Sequence, residues 1–161
     1  MEKEIFTIKE NTLSYGRGYV YSLQYHLVWC TKYRKQVLKN GIDAECKKML
    51  YELAEEYKFK ILVMEVMPDH IHLLLSIPPK MSVSGFMGYL KGKSSLMIFQ
   101  RFGNMKFAYR NREFWCKGYY VDTVGKNTAA IKSYIANQLK QDKEMDQISL
   151  FDPRDPFTGS K

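Results

Sequence analysis

From His70 to Ile77 the chain alternates between two kinds of residue. Ile71, Leu73, Leu75 and Ile77 form one series; His70, His72, Leu74 and Ser76 form the other. Successive side chains of a β-strand point to opposite faces of the sheet. The segment is therefore predicted as a strand with one oily face and one face that carries two imidazoles side by side. Burying two imidazoles without partners costs several kcal/mol. Such a strand demands a sheet with two used faces, one for a core and one where the imidazoles have an occupation.

The rest of the chain has the means to build that sheet. Its 161 residues suit one domain, and 45% hydrophobic content is enough for a core. A formal net charge of +8 and a pI near 9.3 favour a polyanionic partner, DNA or RNA. No apolar run approaches the roughly 20 residues of a membrane span, so no membrane role is expected. The polar start Met1-Glu-Lys-Glu does not read as a signal peptide. Cys30, Cys46 and Cys116 are odd in number and widely spaced, which fits neither a disulfide framework nor a zinc knuckle. A reducing, cytoplasmic setting is expected.

Arg17 to Thr31 alternates as one long strand, with Tyr19, Tyr21, Leu23, Tyr25, Leu27 and Trp29 on one face and Val20, Ser22, Gln24, His26, Val28 and Cys30 on the other. Ile42, Cys46, Met49, Leu50, Leu53 and Tyr57 recur at helical spacing and predict a helix over 42–57. A second strand is expected over 59–67, a turn at Pro68-Asp69 and the histidine strand over 70–77. Apolar spacing predicts a second helix over 83–102, and 119–123 reads as a short fourth strand. Asn127 offers an N-cap for a third helix over 128–142. The order βαββαβ plus one helix predicts an α+β fold of the ferredoxin-like kind, an antiparallel sheet with two helices on one side. Residues 1–143 are read as one domain and 144–161 as an irregular tail.

His70 and His72 are candidate metal ligands, though a structural role is equally open at this point. On the third predicted helix, Tyr134 and Gln138 lie four apart and so share a face. Gln138 could add an oxygen ligand. Tyr134 could act as a nucleophile if a metal or base lowered the barrier to losing its proton. With 12 tyrosines in the chain, that spacing also arises by chance. No further Cys or His is spaced for zinc, so Mg²⁺ or Mn²⁺ suits the donors better. His26 reads as an ordinary satisfied histidine. Asp69 is placed either to orient an imidazole or to cap the turn. Lys32, Arg34, Lys35, Lys91, Lys93 and Arg101, interleaved with aromatic residues, are candidate DNA contacts, joined by Lys106, Arg110 and Arg112.

The stretches Arg17-Gly-Tyr-Val-Tyr21, Tyr25-His-Leu-Val-Trp-Cys-Thr-Lys-Tyr-Arg34 and Met64-Glu-Val-Met-Pro-Asp-His-Ile-His-Leu-Leu-Leu-Ser76 resemble the single-tyrosine HUH transposases of the IS200/IS605 family. Ala130-Ile-Lys-Ser-Tyr-Ile-Ala-Asn-Gln138 is similar to their tyrosine helix. The resemblance covers about residues 14–142. It implies that His70, His72 and Gln138 hold the metal and that Tyr134 is the nucleophile. It implies cleavage and rejoining of single-stranded DNA near subterminal hairpins through a 5′-phosphotyrosine. It also implies a homodimer in which Tyr134 of one subunit serves the histidines of the other. Two other readings are a host-adopted HUH nuclease that processes repeated hairpins and a non-catalytic single-strand binding module. In the second of these, Tyr134 and Gln138 would share no task.

Overall fold

The computed structural model describes residues 14–105 and 113–124, with 133, 136, 137, 140, 157 and 158 beyond them. A short hairpin, β1 (Ser14–Gly16) and β2 (Tyr19–Tyr21), opens the fold. It is followed by β3 (Gln24–Cys30), α1 (Ile42–Tyr57), β4 (Lys60–Val66), β5 (His70–Ser76), α2 (Val83–Arg101) and β6 (Tyr120–Thr123). The four longer strands form one sheet in the order β4-β5-β3-β6, antiparallel at every pairing. The molecule is thus α+β, as expected.

The helices form where the apolar spacing placed them. In α1, Cys46, Met49, Leu50 and Leu53 make one buried stripe, and the left-handed Lys58 (φ 60) ends the helix. In α2, the Ser82 side chain accepts a hydrogen bond from the Gly85 amide, satisfying one of the open donors of the first turn. Phe86, Met87, Leu90 and Ile98 of α2 meet the α1 stripe and one face of the sheet, built from Leu27, Trp29, Ile61, Ile71, Leu73 and Leu75. Removing this aliphatic and aromatic surface from water is the main stabilising term, at roughly 25 cal/mol per Å².

Two local features differ from the sequence reading. The strand expected over 17–31 is broken. Arg17 and Gly18 form a two-residue hairpin loop between the paired Gly16 and Tyr19, and Gly18 takes φ +85. A Cβ on Gly16 would overlap the Tyr19 ring. Among the described residues β2 pairs with β1 alone; the main sheet begins at Gln24, after Ser22 and Gln24 have bonded to each other through their side chains (3.0 Å). Alternation runs straight through this break, so polarity does not reveal it.

The second feature is a bulge in β4. Ile61 pairs with Leu75 but Val63 with Leu74, which leaves Leu62 as the extra residue. Beyond the bulge, Glu65 stands opposite His72 and therefore on the histidine face. Most of the helix expected over 128–142, including Tyr134 and Gln138, lies outside the described residues. Within it, Ser133, Ala136, Asn137 and Lys140 are helical and exposed. Of the tail, Phe157 sets its ring against Tyr120, with centroids 6.5 Å apart.

Cys46 tests the packing of α1. Burial, reinforced by Asp43, pushes its thiol up to about 12. Only the thiolate is nucleophilic, so iodoacetamide at pH 8 should leave Cys46 unmodified in the folded protein and alkylate it after denaturation. Peptide mass mapping that found native Cys46 alkylated at the rate of a free thiol would contradict this packing.

Candidate metal and nucleic-acid site

The sheet face opposite the helices is polar and yet buried. β5 contributes His70 and His72, which are 1% and 4% exposed, and β3 contributes His26 at 0%. The rings of His70 and His72 have centroids 5.2 Å apart and planes at 74°. The predicted side-by-side placement on one face is therefore present, and the polar groups around the pair explain how it tolerates burial.

His70 is held from behind. Its Nδ1 lies 2.6 Å from Asp69 Oδ1. A carboxylate only accepts, so Nδ1 carries the proton and donates it. Arg34 grips the other carboxylate oxygen, with Nη2 at 3.1 Å and Nε at 3.2 Å. Arg34 reaches it from an unusual backbone: Tyr33 (φ 58) and Arg34 (φ 50) are both left-handed, a conformation that costs a non-glycine residue about 1–2 kcal/mol. Thr31 holds that loop in place. Its amide donates to the Asp69 carbonyl at 2.9 Å, and its hydroxyl bonds to the Lys35 carbonyl at 2.8 Å. Of the two roles open to Asp69, orientation of an imidazole is the one the geometry displays.

His72 is engaged at the same nitrogen by a different partner. Its Nδ1 lies 2.9 Å from Nε2 of His26, and the two rings are nearly coplanar, edge to edge at 16°. Sequence reasoning placed His26 on the correct face of its strand but not beside His72. The missing signal was the β3–β5 register, in which Val28 pairs with His72. That register follows from long-range pairing, not from local pattern. Tyr120 and Asp122 of β6, and Glu65 of β4, also share this face and were not singled out.

The donor set fits a divalent ion. Both imidazoles are engaged at Nδ1, so the nitrogen each would offer a metal is Nε2, and an orienting partner behind a ligand histidine is the usual arrangement at metal sites. Among the described residues no group of three or more His, Cys, Asp and Glu is placed to hold a metal. A complete shell would need another donor, and Gln138, the one expected, lies outside the described residues.

The basic candidates separate by what they touch. Lys32 pairs with Glu113 at 3.3 Å, and Lys32 and Lys35 flank the exposed Tyr33 ring at 5.5 and 5.9 Å. Arg34 serves Asp69. Arg101 joins the two helices through Glu45 and Glu52, at 3.1 and 2.7 Å. Lys93 lies over the Tyr89 ring at 6.0 Å. Lys91 donates to the carbonyls of Cys116, Lys117 and Gly118 at 2.9, 3.0 and 2.9 Å. Lys106, Arg110 and Arg112 lie outside the described residues. Among the described residues no helix is long and apolar enough to cross a membrane.

Comparison with known proteins places this geometry in context. A family model described as transposase, IS200 like, matches residues 19–138. The chain is 53% identical over 152 residues to the transposase for insertion sequence element IS200 of Salmonella typhimurium, which covers 94% of this chain and 98% of that protein. It is 42% identical over 130 residues to the ISDra2 transposase TnpA of Deinococcus radiodurans, covering 80% of this chain and 91% of that one. A solved Deinococcus radiodurans structure described as a transposase superposes with a TM-score of 0.64 at 40% identity, covering 78% of this chain and 97% of its own. A REP-associated tyrosine transposase bound to a REP hairpin shares the fold, with a TM-score of 0.53 at 15% identity over 80% of this chain and 73% of that chain.

The tethering of Lys91 has a measurable consequence. Its three N–H donors hold the loop that leads into β6. Replacing Lys91 with Met should lower stability by about 1–2 kcal/mol, the scale of lost hydrogen bonds to a partly exposed charged group. Urea denaturation would read this as a lower midpoint with an unchanged slope. A midpoint equal to the parent's would return Lys91 to the set of cations available to DNA.

Proposed function

This chain belongs to the family of IS200-like transposases, and from that premise we propose that it is a metal-dependent transposase of single-stranded DNA. In this reading it cleaves and rejoins hairpin-bearing ends through a 5′-phosphotyrosine. The observation that carries the proposal is the buried His70–His72 pair, engaged at Nδ1 on both rings, in a chain whose family match also spans Tyr134 and Gln138. The strand order β4-β5-β3-β6 supports reading the fold as ferredoxin-like, with a C-terminal helix that brings the nucleophile.

In the proposed chemistry, Tyr134 loses its phenolic proton and its oxygen bonds to the scissile phosphorus. The bond from phosphorus to the 3′ oxygen breaks, and that oxygen leaves as a hydroxyl after taking up a proton. A 3′-hydroxyl of another strand then attacks the phosphotyrosine, releases Tyr134 and restores a phosphodiester. His70, His72 and Gln138 would hold Mg²⁺ or Mn²⁺, which when bound polarises the non-bridging phosphate oxygens and neutralises their charge. Asp69 and Arg34 keep the His70 ring turned toward that position. No nucleotide hydrolysis is required, since each bond broken is replaced by one of the same kind.

Tyr33 and Lys35, both exposed, form the basic and aromatic surface best suited to a nucleic-acid strand, with the half-buried Lys32 beside the same ring. The hairpin carried by the REP-associated relative supports a structured single strand as the ligand. The working unit in this proposal is a homodimer, Tyr134 of one subunit completing the histidine site of the other.

Two experiments test the reading. Single-stranded DNA from the flanks of the gene, incubated with Mn²⁺, should give a protein–DNA adduct that survives denaturing electrophoresis. The adduct should be absent in Tyr134→Phe and in His72→Ala. An undiminished adduct in Tyr134→Phe would place the nucleophile elsewhere. Mixed dimers of Tyr134→Phe and His72→Ala subunits should regain one intact composite site and about half the parental sites. Heterodimers that form but remain wholly inactive would refute the shared arrangement.

A further inference from the structure

We infer that His26 is a positioning residue that selects the tautomer of His72 and so makes that ring able to take a metal. The inference rests on the reading of His72 as a ligand. His26 lies on β3, fully buried, with Nε2 2.9 Å from His72 Nδ1. Its ring lies edge to edge with His72, nearly coplanar at 16° with centroids 5.2 Å apart, and the Tyr120 ring meets it at 71° with centroids 5.9 Å apart. The ring is thus braced by groups from both neighbouring strands.

Two imidazole nitrogens at that distance share one hydrogen. If His26 Nε2 donates it, His72 Nδ1 is a bare acceptor, and the proton of a neutral His72 sits on Nε2. That nitrogen then cannot ligate. If His72 Nδ1 donates, its Nε2 carries the lone pair, and His26 must be the tautomer protonated at Nδ1. Only the second arrangement serves a metal. The orienting hydrogen bond decides which ring nitrogen is available.

The two ligand rings are therefore set by unlike partners. Asp69 is a carboxylate and forces the proton of His70 onto Nδ1. His26 is an imidazole and fixes His72 only through its own tautomer. The His72 side of the site depends on a neighbour that can present either a donor or an acceptor; the His70 side does not.

The test is Mn²⁺ binding by titration calorimetry on the full chain without DNA, in four proteins: parent, His26→Leu, His26→Gln and His72→Ala. His26→Leu keeps volume but has no acceptor, and should bind Mn²⁺ about 10- to 100-fold more weakly, the usual effect of losing an orienting partner. His26→Gln can place an amide oxygen near the position of Nε2 and should bind close to the parent. Equal weakening in His26→Leu and His26→Gln would show that packing, not the acceptor, matters, and would overturn the inference. So would parental binding by His26→Leu beside loss in His72→Ala, with the metal-site reading left standing. Parental binding by His72→Ala would instead overturn that reading. Should His26→Leu fail to fold, ring ¹⁵N spectra of the metal-free parent decide the matter. A His72 ring protonated at Nδ1 supports the inference, and one protonated at Nε2 refutes it.

Discussion

Three imidazoles share one sheet face, none more than 4% exposed, while the opposite face is aliphatic and packed on two helices. A polar group removed from water without a partner loses several kcal/mol, so this face can exist only as a hydrogen-bonded set. Much of the local architecture follows from that demand. Asp69 must sit at the turn between β4 and β5 to reach His70. Arg34 must come back to neutralise Asp69, and two consecutive left-handed residues bring it there. β3 must lie beside β5 in the register that sets His26 diagonally from His72.

The same set is compatible with the metal site proposed above. Both rings are engaged at Nδ1, by partners from different elements. The strain at Tyr33 and Arg34, of the order of 1–2 kcal/mol per residue, is tolerated because Thr31 ties the loop to Asp69 and Lys35. Backbone strain of this kind tends to collect where a side chain must be held for function.

What could be read in advance divides along the line between local and long-range physics. α1 was legible to its ends because Cys46, Met49, Leu50 and Leu53 repeat at the helical period. The histidine strand was legible because its polarity alternates. The break after β2 was hidden, since alternation is conserved across Ser22-Leu23 and only the change of pairing partner between Tyr21 and Gln24 marks it. The β4 bulge was hidden inside Ile61-Leu-Val-Met64, a run with no polar residue to report a change of face. The partners of His26, Arg34 and Lys91 were not legible either, because each lies across a strand pairing or a loop far along the chain. The expected Tyr134 and Gln138 came from resemblance, and their place in the fold lies outside the described residues.

The bulge at Leu62 makes β4 unequal in its tolerance of length change. Val63 to Val66 are in step with β5, and a residue lost among them would turn Glu65 or its neighbours toward the helices. Leu62 alone stands outside the pairing: without it, Ile61 and Val63 would continue one unbroken ladder, and every side chain would keep its face. The strand can therefore lose a residue without a change of face at this point. A deletion there would leave the rungs from Val63 to Val66, and so the histidines three rungs away, in place.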